Sequence, residues 1–521
     1  MRDASLSEVL LQRLDRGAKD PLSRQIYTVL RTLILDGEVA AGLKMPATRT
    51  LAQDLGLSRN TVMHAYEQLL AEGYVVSAFG SGTFVSDTAP RQGLGMTGPG
   101  SEAKGASAAA GHPGQRESHA DDPGWHQAAL SSRGAQLVGL ASASDQQLGA
   151  FVAGVPDVTL FPHAIWNKLL SRRWREPPPE LLTYAYGAGY MPLRRVLAEH
   201  LRLSRAVRCE PEQVVLTTGI HQSISLVARL LGDTGHTAWM ENPGYWGARS
   251  MLQACGITTV PVHVDEEGMA PTPDQMAQPP RFIFVTPSHQ YPLGHIMSLS
   301  RRRMLLDYAH QHGAWIVEDD YDSEFRFSGK PLASLQSMDQ HDRVLYLGTF
   351  SKTLYPGIRL GYMVLPRALA APFGIGLSEL YREGRLMDQA VVADFIEKGH
   401  YATHLRRMRQ VYARRQALLR DAITAQMGAG WPISTHEAGL HLVMHLPAGT
   451  DDLGIAIAAR TLGLAVRPLS RYYEGTAGAS GLLLGYACLP DNLIGPSFQR
   501  LMQVITPALE HRRRAAMTRR A

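Results

Sequence analysis

Between Ala89 and Ala120 the chain all but loses its large apolar side chains: 20 of these 32 residues are Gly, Ala, Ser or Pro. A segment of that composition buries too little surface to offset the entropy of ordering it, so it reads as a flexible tether. The weak patterning continues to about Gln147. A chain of 521 residues interrupted in this way is expected to form separate folding units joined by a linker over 88–147.

The segment before the tether carries short-range signals of one small domain, expected over residues 15–87. Leu22, Ile26, Val29, Leu30, Leu33 and Ile34 form a helical stripe between Pro21 and Asp36. A second helix is expected from Thr48, taken as its N-cap, to Leu55. Gly56 then turns the chain, and Ser58 caps a third helix that runs to Glu72 and ends at Gly73. Tyr74 to Val85 reads as a hairpin with glycines at its tip. Three helices and a hairpin make a winged helix-turn-helix, whose second motif helix enters the major groove of double-stranded DNA. Its first turn offers Ser58, Arg59, Asn60, Thr61 and His64 to bases and phosphates. Arg49 is placed for phosphate, and Gly80 and Gly82 allow close approach of the wing.

Charge alone does not suggest this partner, because residues 1–90 hold nine Lys/Arg against ten Asp/Glu. The overall excess of +5 equals the five arginines of the tail 511–521, which is expected to fray in solvent. Three cysteines (Cys209, Cys255, Cys488) are too few and too scattered for a disulfide framework and fit a reducing cytoplasm. The start carries charges rather than a secretory core, and no apolar run is long enough to span a membrane. A soluble cytoplasmic protein without membrane partners is expected.

After the tether, short apolar strands alternate with helical patterns: Val214–Thr218, Thr237–Glu241, Phe282–Thr286, Ala314–Glu318 and Val344–Gly348. Such alternation predicts a parallel α/β sheet covered on both faces. From about Asp388 a long helix (Tyr401–Met427) and shorter strands predict a smaller C-terminal α+β lobe. Within the large lobe Lys352 follows a strand whose end is rich in hydroxyls, and Arg359 follows seven residues later. An amine there can condense with an aldehyde, while hydroxyls and a guanidinium hold a phosphate. That chemistry suits pyridoxal 5'-phosphate. Thr217–Gln222 joins a strand to a helix, so the amides of Gly219, Ile220 and His221 can face the phosphate, with Thr349 and Arg359 completing the cup. Asp319 at a strand end can keep the pyridine nitrogen protonated, Tyr321 can donate to the ring oxygen, and Tyr245 supplies an aromatic floor. His289, His295, His310 and His312 form no ligand set, so no metal is expected.

Met45-Pro-Ala-Thr-Arg-Thr-Leu-Ala, Glu72-Gly-Tyr and Gly80-Ser-Gly-Thr-Phe-Val resemble the GntR-type winged helix, with Ala47 where a serine is usual. Residues 148–510 resemble fold-type I aminotransferases. The combination of Thr286–Gly294, Glu318–Phe325 and Gly348–Lys352 with such a head resembles the MocR/GabR regulators. The resemblance implies control of transcription by pyridoxal phosphate held as an internal aldimine on Lys352, with a small amino compound as effector. It also implies a head-to-tail homodimer in which Tyr186 reaches the partner's phosphate. Arg471 matches the effector-carboxylate arginine of the GABA-responsive member. That member's second effector arginine is missing near Gly247, where Arg249 is the nearest substitute. Leu482–Ala487 lacks the arginine with which aminotransferases grip a substrate carboxylate, and Tyr291 replaces their asparagine. A working aminotransferase with an appended DNA-binding head is the alternative.

Overall fold

A computed structural model describes residues 3–78, 81–86, 130–139, 148–329, 332–382, 384–434, 436, 438–475 and 478–518. The chain divides into two units, Met1–Glu117 and Ser118–Ala521. Most of the expected linker, 88–129 and 140–147, lies outside the described residues, as does Gly80 at the wing tip. Residues Ser132–Gly139 form a short helix.

The first unit is the expected winged helix, enlarged at its N-terminal side. Helix α1 (Asp3–Arg13), which a domain starting at residue 15 leaves out, buries Leu6 and Leu10 in the common core. Ser7 on that helix donates to Asp54 Oδ2 at 2.8 Å. Helix α2 (Leu22–Leu35) turns Ile26, Leu30 and Leu33 inward at helical spacing, and all three are fully buried. Helix α3 (Thr48–Leu55) is preceded by Ala47, not Thr48, as its N-cap; a methyl group accepts no hydrogen bond, so that end has no side-chain cap. Gly56 turns the chain into α4 (Arg59–Ala71), which buries Val62, Ala65, Tyr66 and Leu69. Strands β1 (Val75–Ala78) and β2 (Gly82–Val85) pair antiparallel as the wing, and Lys44 bridges to Phe84 beside them.

The second unit is built on an eight-stranded sheet. Its strands are β3 (Val214–Thr217), β4 (Thr237–Asn242), β5 (Thr258–Asp265), β6 (Gly268–Met269), β7 (Phe282–Val285), β8 (Trp315–Asp320), β9 (Val344–Thr349) and β10 (Gly361–Val364). They lie in the order β3-β10-β9-β8-β7-β4-β5-β6. The central strands β5, β4, β7, β8 and β9 are parallel, as expected. The sheet as a whole is mixed. Strand β10 was not expected; it runs antiparallel between β9 and β3. Its few residues, Gly-Tyr-Met-Val, begin two positions after Arg359 and look like the tail of the preceding turn.

Both faces of the sheet are covered. Phe282 and Phe284 of β7 enter one apolar cluster, while Ile283 and Val285 enter another, as the two-residue period of a strand requires. The covering helices include α5 (His163–Arg175), α6 (Met191–Arg205), α7 (Ile220–Leu231), α8 (Trp246–Ala254), α9 (Leu299–His312), α10 (Arg367–Tyr381) and α11 (Leu386–Glu397). The long α12 (His400–Met427) leads into a smaller lobe of β11 (His441–His445), α13 (Asp452–Thr461), β12 (Arg467–Pro468) and β13 (Gly481–Gly485). These three strands form an antiparallel sheet ordered β11-β13-β12. The last helix, α14 (Asp491–Thr518), continues through most of the tail expected to fray, and Arg512 Nε donates to the Ala448 carbonyl at 2.8 Å. Among the described residues no helix is long and apolar enough to cross a membrane.

Candidate functional site

In the head, the N-terminal turn of α4 presents Arg59 and Asn60 to solvent. Ser58 and Thr61 are less free than the sequence suggested. The Ser58 hydroxyl accepts from the Thr61 amide at 3.2 Å and lies 2.8 Å from the Thr61 hydroxyl. The two hydroxyls hold the first turn of the helix together, which fixes where the Arg59 side chain starts. His64, one turn on, lies 3.3 Å from Glu67 Oε2. Arg49 is exposed on the first turn of α3. Gly82 opens β2 at φ +112°, a conformation that other residues rarely adopt. A Cβ there would stand 3.0 Å from Lys44 Cε. Lys44 therefore lies against the wing as an exposed cation that the sequence reading missed; its only signal was a lysine just before the Met45-Pro motif.

The lysine site is built by register. Gly361 of β10 pairs with Thr349 on one side and Thr217 on the other. The unexpected strand thus brings three turns together: the one after β3, the one after β9 that carries Lys352, and the one that carries Arg359. Gly219 stands at φ 123°, ψ −178° and caps α7 without a side chain, so the amides at the start of that helix face outward. A Cβ on Gly361 would come within 2.7 Å of Gly219 Cα, so this contact admits no side chain. Arg359 adopts φ 48° and lines a small cavity with Thr217, Thr218 and Gly187. Burial holds His221 below its ordinary pKa, and the charges of Arg359 and Lys352 add to that effect. Thr349 accepts the Ser351 amide at 3.1 Å and so shapes the turn before Lys352.

Lys352 Nζ donates to the Gly154 carbonyl at 2.7 Å. Burial lowers its pKa; Asp322 and Asp319 oppose the shift, and Arg467 adds to it. An amine of that kind gives up its proton readily and is a nucleophile. Adjacent Asp319 and Asp320 separate by strand alternation. Asp320 Oδ2 accepts from Arg205 Nε at 2.7 Å and from the Tyr346 hydroxyl at 2.5 Å. Asp319 points the other way, is buried, and leaves Oδ1 without a partner. Burial first, and the neighbouring Asp320 second, push its pKa up to about 8. A buried acceptor without a donor calls for a group to fill it, and a ring N–H does so.

Three further residues complete the surroundings. The Tyr321 hydroxyl lies 3.0 Å from His289 Nδ1, which is itself 3.0 Å from Asp322 Oδ1. The Tyr245 hydroxyl lies 2.7 Å from His221 Nε2. Burial holds both phenols well above their ordinary pKa, so both are donors. A Cβ at Gly247 would meet Tyr245 Cζ at 2.5 Å and His221 Nε2 at 2.7 Å. No arginine fits there. Arg249 instead lies 3.1 Å from Glu474, close enough for attraction although the pair is not aligned as a hydrogen bond. On the small-lobe side, Arg467 bonds the Tyr472 hydroxyl, and its charge is felt at Lys352, Tyr245 and Tyr291. Arg471, the expected arginine, is exposed and lines the cavity beside Arg467. Arg467, four residues earlier, was not among the expected site residues. His289 was weighed only as a metal ligand; among the described residues no group of side chains could hold a metal. Tyr186 is 78% exposed and Tyr184 77% exposed, both far from buried in a single chain.

Residues 22–85 match the model of bacterial regulatory proteins of the gntR family, and residues 164–481 match that of aminotransferase class I and II. The probable rhizopine catabolism regulatory protein MocR of Rhizobium meliloti is 40% identical over 91% of this chain and 92% of its own. This chain belongs to the MocR-type regulators. The pyridoxine biosynthesis transcriptional regulator PdxR of Corynebacterium glutamicum is 30% identical to this regulator over 89% of the chain and 91% of its own. The α-aminoadipate aminotransferase LysN of Thermus thermophilus, solved with N-(5'-phosphopyridoxyl)-L-leucine, superposes with a TM-score of 0.66. It is 27% identical and covers 74% of this regulator and 99% of its own chain. The second unit therefore has the fold-type I architecture of pyridoxal phosphate proteins. The residues present fit that group: an orphaned Asp319 oxygen for the ring nitrogen, the N-terminus of α7 after Gly219, without a side-chain cap, for the phosphate, and a half-buried amine at Lys352.

Proposed function

We propose that this MocR-type regulator binds an operator through its winged helix and senses pyridoxal phosphate together with a small amino compound at Lys352. The observation that carries the reading is Asp319 Oδ1, buried without a partner on the strand next to that of a half-buried lysine, in a chain that also holds a DNA-binding head. When bound, pyridoxal phosphate supplies an aldehyde carbon with which a primary amine condenses reversibly. Asp319 holds the proton at the ring nitrogen. The amides of Gly219, Ile220 and His221, with Arg359, hold the phosphate. Tyr321 donates toward the ring oxygen, and Tyr245 closes one face. Lys352, whose pKa burial lowers, would compete with the incoming amine for the same carbon. Arg467 stands where it can take the effector's carboxylate, and Arg471 contributes from the rim.

The exposed Tyr184 and Tyr186 favour a head-to-tail homodimer in which a second copy covers them and Tyr186 completes the partner's phosphate site. Coupling then needs only that the effector binds one arrangement of the dimer better than another, changing how two heads meet spaced DNA sites. The setting is the cytoplasm, where the DNA is.

The test is a titration of the full-length holoprotein with amino acids, read by cofactor absorbance and by footprinting on the DNA upstream of its own gene. A single saturable spectral change that alters the footprint supports the regulator. Repeated cycling of the band on adding a keto acid favours the aminotransferase alternative, against which β13 speaks by carrying no arginine.

A further inference from the structure

Between α13, β12 and the first residue of α8 lies a cavity of about 150 Å³ that neither Lys352 nor the phosphate cup accounts for. Its lining includes Val152, Trp246, Leu453, Ile457, Arg467 and Tyr472. It shares walls with the lysine site at three points. Val152 stands two residues before Gly154, whose carbonyl holds Lys352 Nζ at 2.7 Å. The Tyr472 hydroxyl lies 3.0 Å from the Tyr291 hydroxyl, and the Tyr291 ring packs edge-on against Tyr321 at 5.6 Å. Arg467, on β12, lines the cavity with Tyr472, and its charge is felt at Lys352.

The chemistry of this cavity is divided. Trp246 forms one apolar wall. Leu453 and Ile457, one helical turn apart on α13, form another, and they remain 50% and 62% exposed. Large apolar side chains left open on a cavity rim mark a place that something apolar covers. A cavity of about 150 Å³ with such walls holds a group the size of a benzene ring. Three arginines, Arg460, Arg467 and Arg471, also line it, and of these Arg467 is the one whose charge is felt at Lys352.

We infer that this cavity is the side-chain subsite of the effector, and that the effector is an amino acid with an aromatic or branched apolar body. Its amine meets the cofactor carbon at Lys352, its carboxylate is held at Arg467, and its body fills the space between Trp246 and α13. The inference rests on the effector reading above and adds the class of ligand to it. It explains why the chain does without an arginine at position 247: the acid group is met from the small lobe, and Tyr245 with His221 fills the vacated room.

Four probes test it on the full-length holoprotein: glycine, L-phenylalanine, L-leucine and phenethylamine, each titrated by calorimetry and by cofactor absorbance. L-phenylalanine or L-leucine should bind about tenfold or more tighter than glycine, since burying such a body contributes more than about 1.4 kcal/mol. Phenethylamine, lacking the carboxylate, should lose about tenfold against L-phenylalanine. Ile457→Asp should erase the advantage of the apolar probes, leaving the affinity for glycine and the cofactor spectrum unchanged. Ile457→Val, which keeps the wall, should retain the advantage. If glycine binds as well as the apolar amino acids, or the advantage survives Ile457→Asp, the subsite is overturned while the effector reading stands. If none of the four probes perturbs the cofactor, the effector reading falls and the subsite falls with it.

Discussion

The two units place their functional side chains in opposite environments. In the head, Arg49, Arg59, Asn60 and His64 stand in solvent on two short helices, above a core built mainly of apolar side chains. In the sensor, Asp319 is buried and Tyr245 and Tyr321 are half-buried, and burial pushes each toward its neutral, proton-bearing form. An exposed cation reads a phosphate through water and ions, so its energy depends on salt. An enclosed acid or amine has no water to consult, so its neighbours set its proton. The head is therefore built to grip and let go, and the sensor to hold protons in assigned places.

The largest test of that contrast is Lys352→Ala. It should weaken pyridoxal phosphate binding by about 100-fold or more, because the covalent contact is lost. Affinity of the cofactor-free protein for operator DNA should stay within about twofold, as measured by fluorescence anisotropy, if the units are energetically separate. Next in size, Arg59→Ala should cost about 1–3 kcal/mol of operator affinity and leave the cofactor absorbance untouched. Arg49→Ala should instead weaken binding to all sequences alike and reduce the salt slope by about 1.

Asp319→Asn probes the enclosed side. In the cofactor-free fold the Asp319 carboxyl keeps its proton up to about pH 8, whereas an unfolded chain releases it near 3.8. The stability tied to that proton is complete below the unfolded value and is lost as pH rises through the folded one. The Tm of the cofactor-free sensor should therefore fall between about pH 5 and pH 8, and fall less steeply in Asp319→Asn. Equal slopes by calorimetry would mean that Asp319 is already ionised. The smallest effect is Ser58→Ala, which removes the cap of α4 and should cost about 1 kcal/mol in the head transition alone.

The contrast also governs what could be read from the residues in advance. The helical stripes of α2 and α4 and the turns at Gly56 and Gly73 are local signals, so the head was legible nearly to the residue. Its one extension, α1, hid because Leu6 and Leu10, its fully buried apolar residues among those described, have the polar pair Ser7 and Glu8 between them and look like part of a lead-in. In the sensor the strand ends at Asp319 and Lys352 were legible because parallel sheets put chemistry there. The partners that give those residues their state were not: His289 beside Tyr321, the Gly154 carbonyl on Lys352, and the charge of Arg467 felt at Lys352. Each is brought in by a distant segment, and no spacing in the sequence encodes it.

Strand β10 has a consequence for how the protein matures. The phosphate cradle closes only when Gly361 has paired with both Thr349 and Thr217, and six strands separate β3 from β10 along the chain. A chain in which β10 has not yet paired therefore has the lysine turn and the helix but no closed cradle. The cradle forms only once all eight strands of the large sheet have been made, so a cofactor held there depends on pairing between segments far apart in the chain.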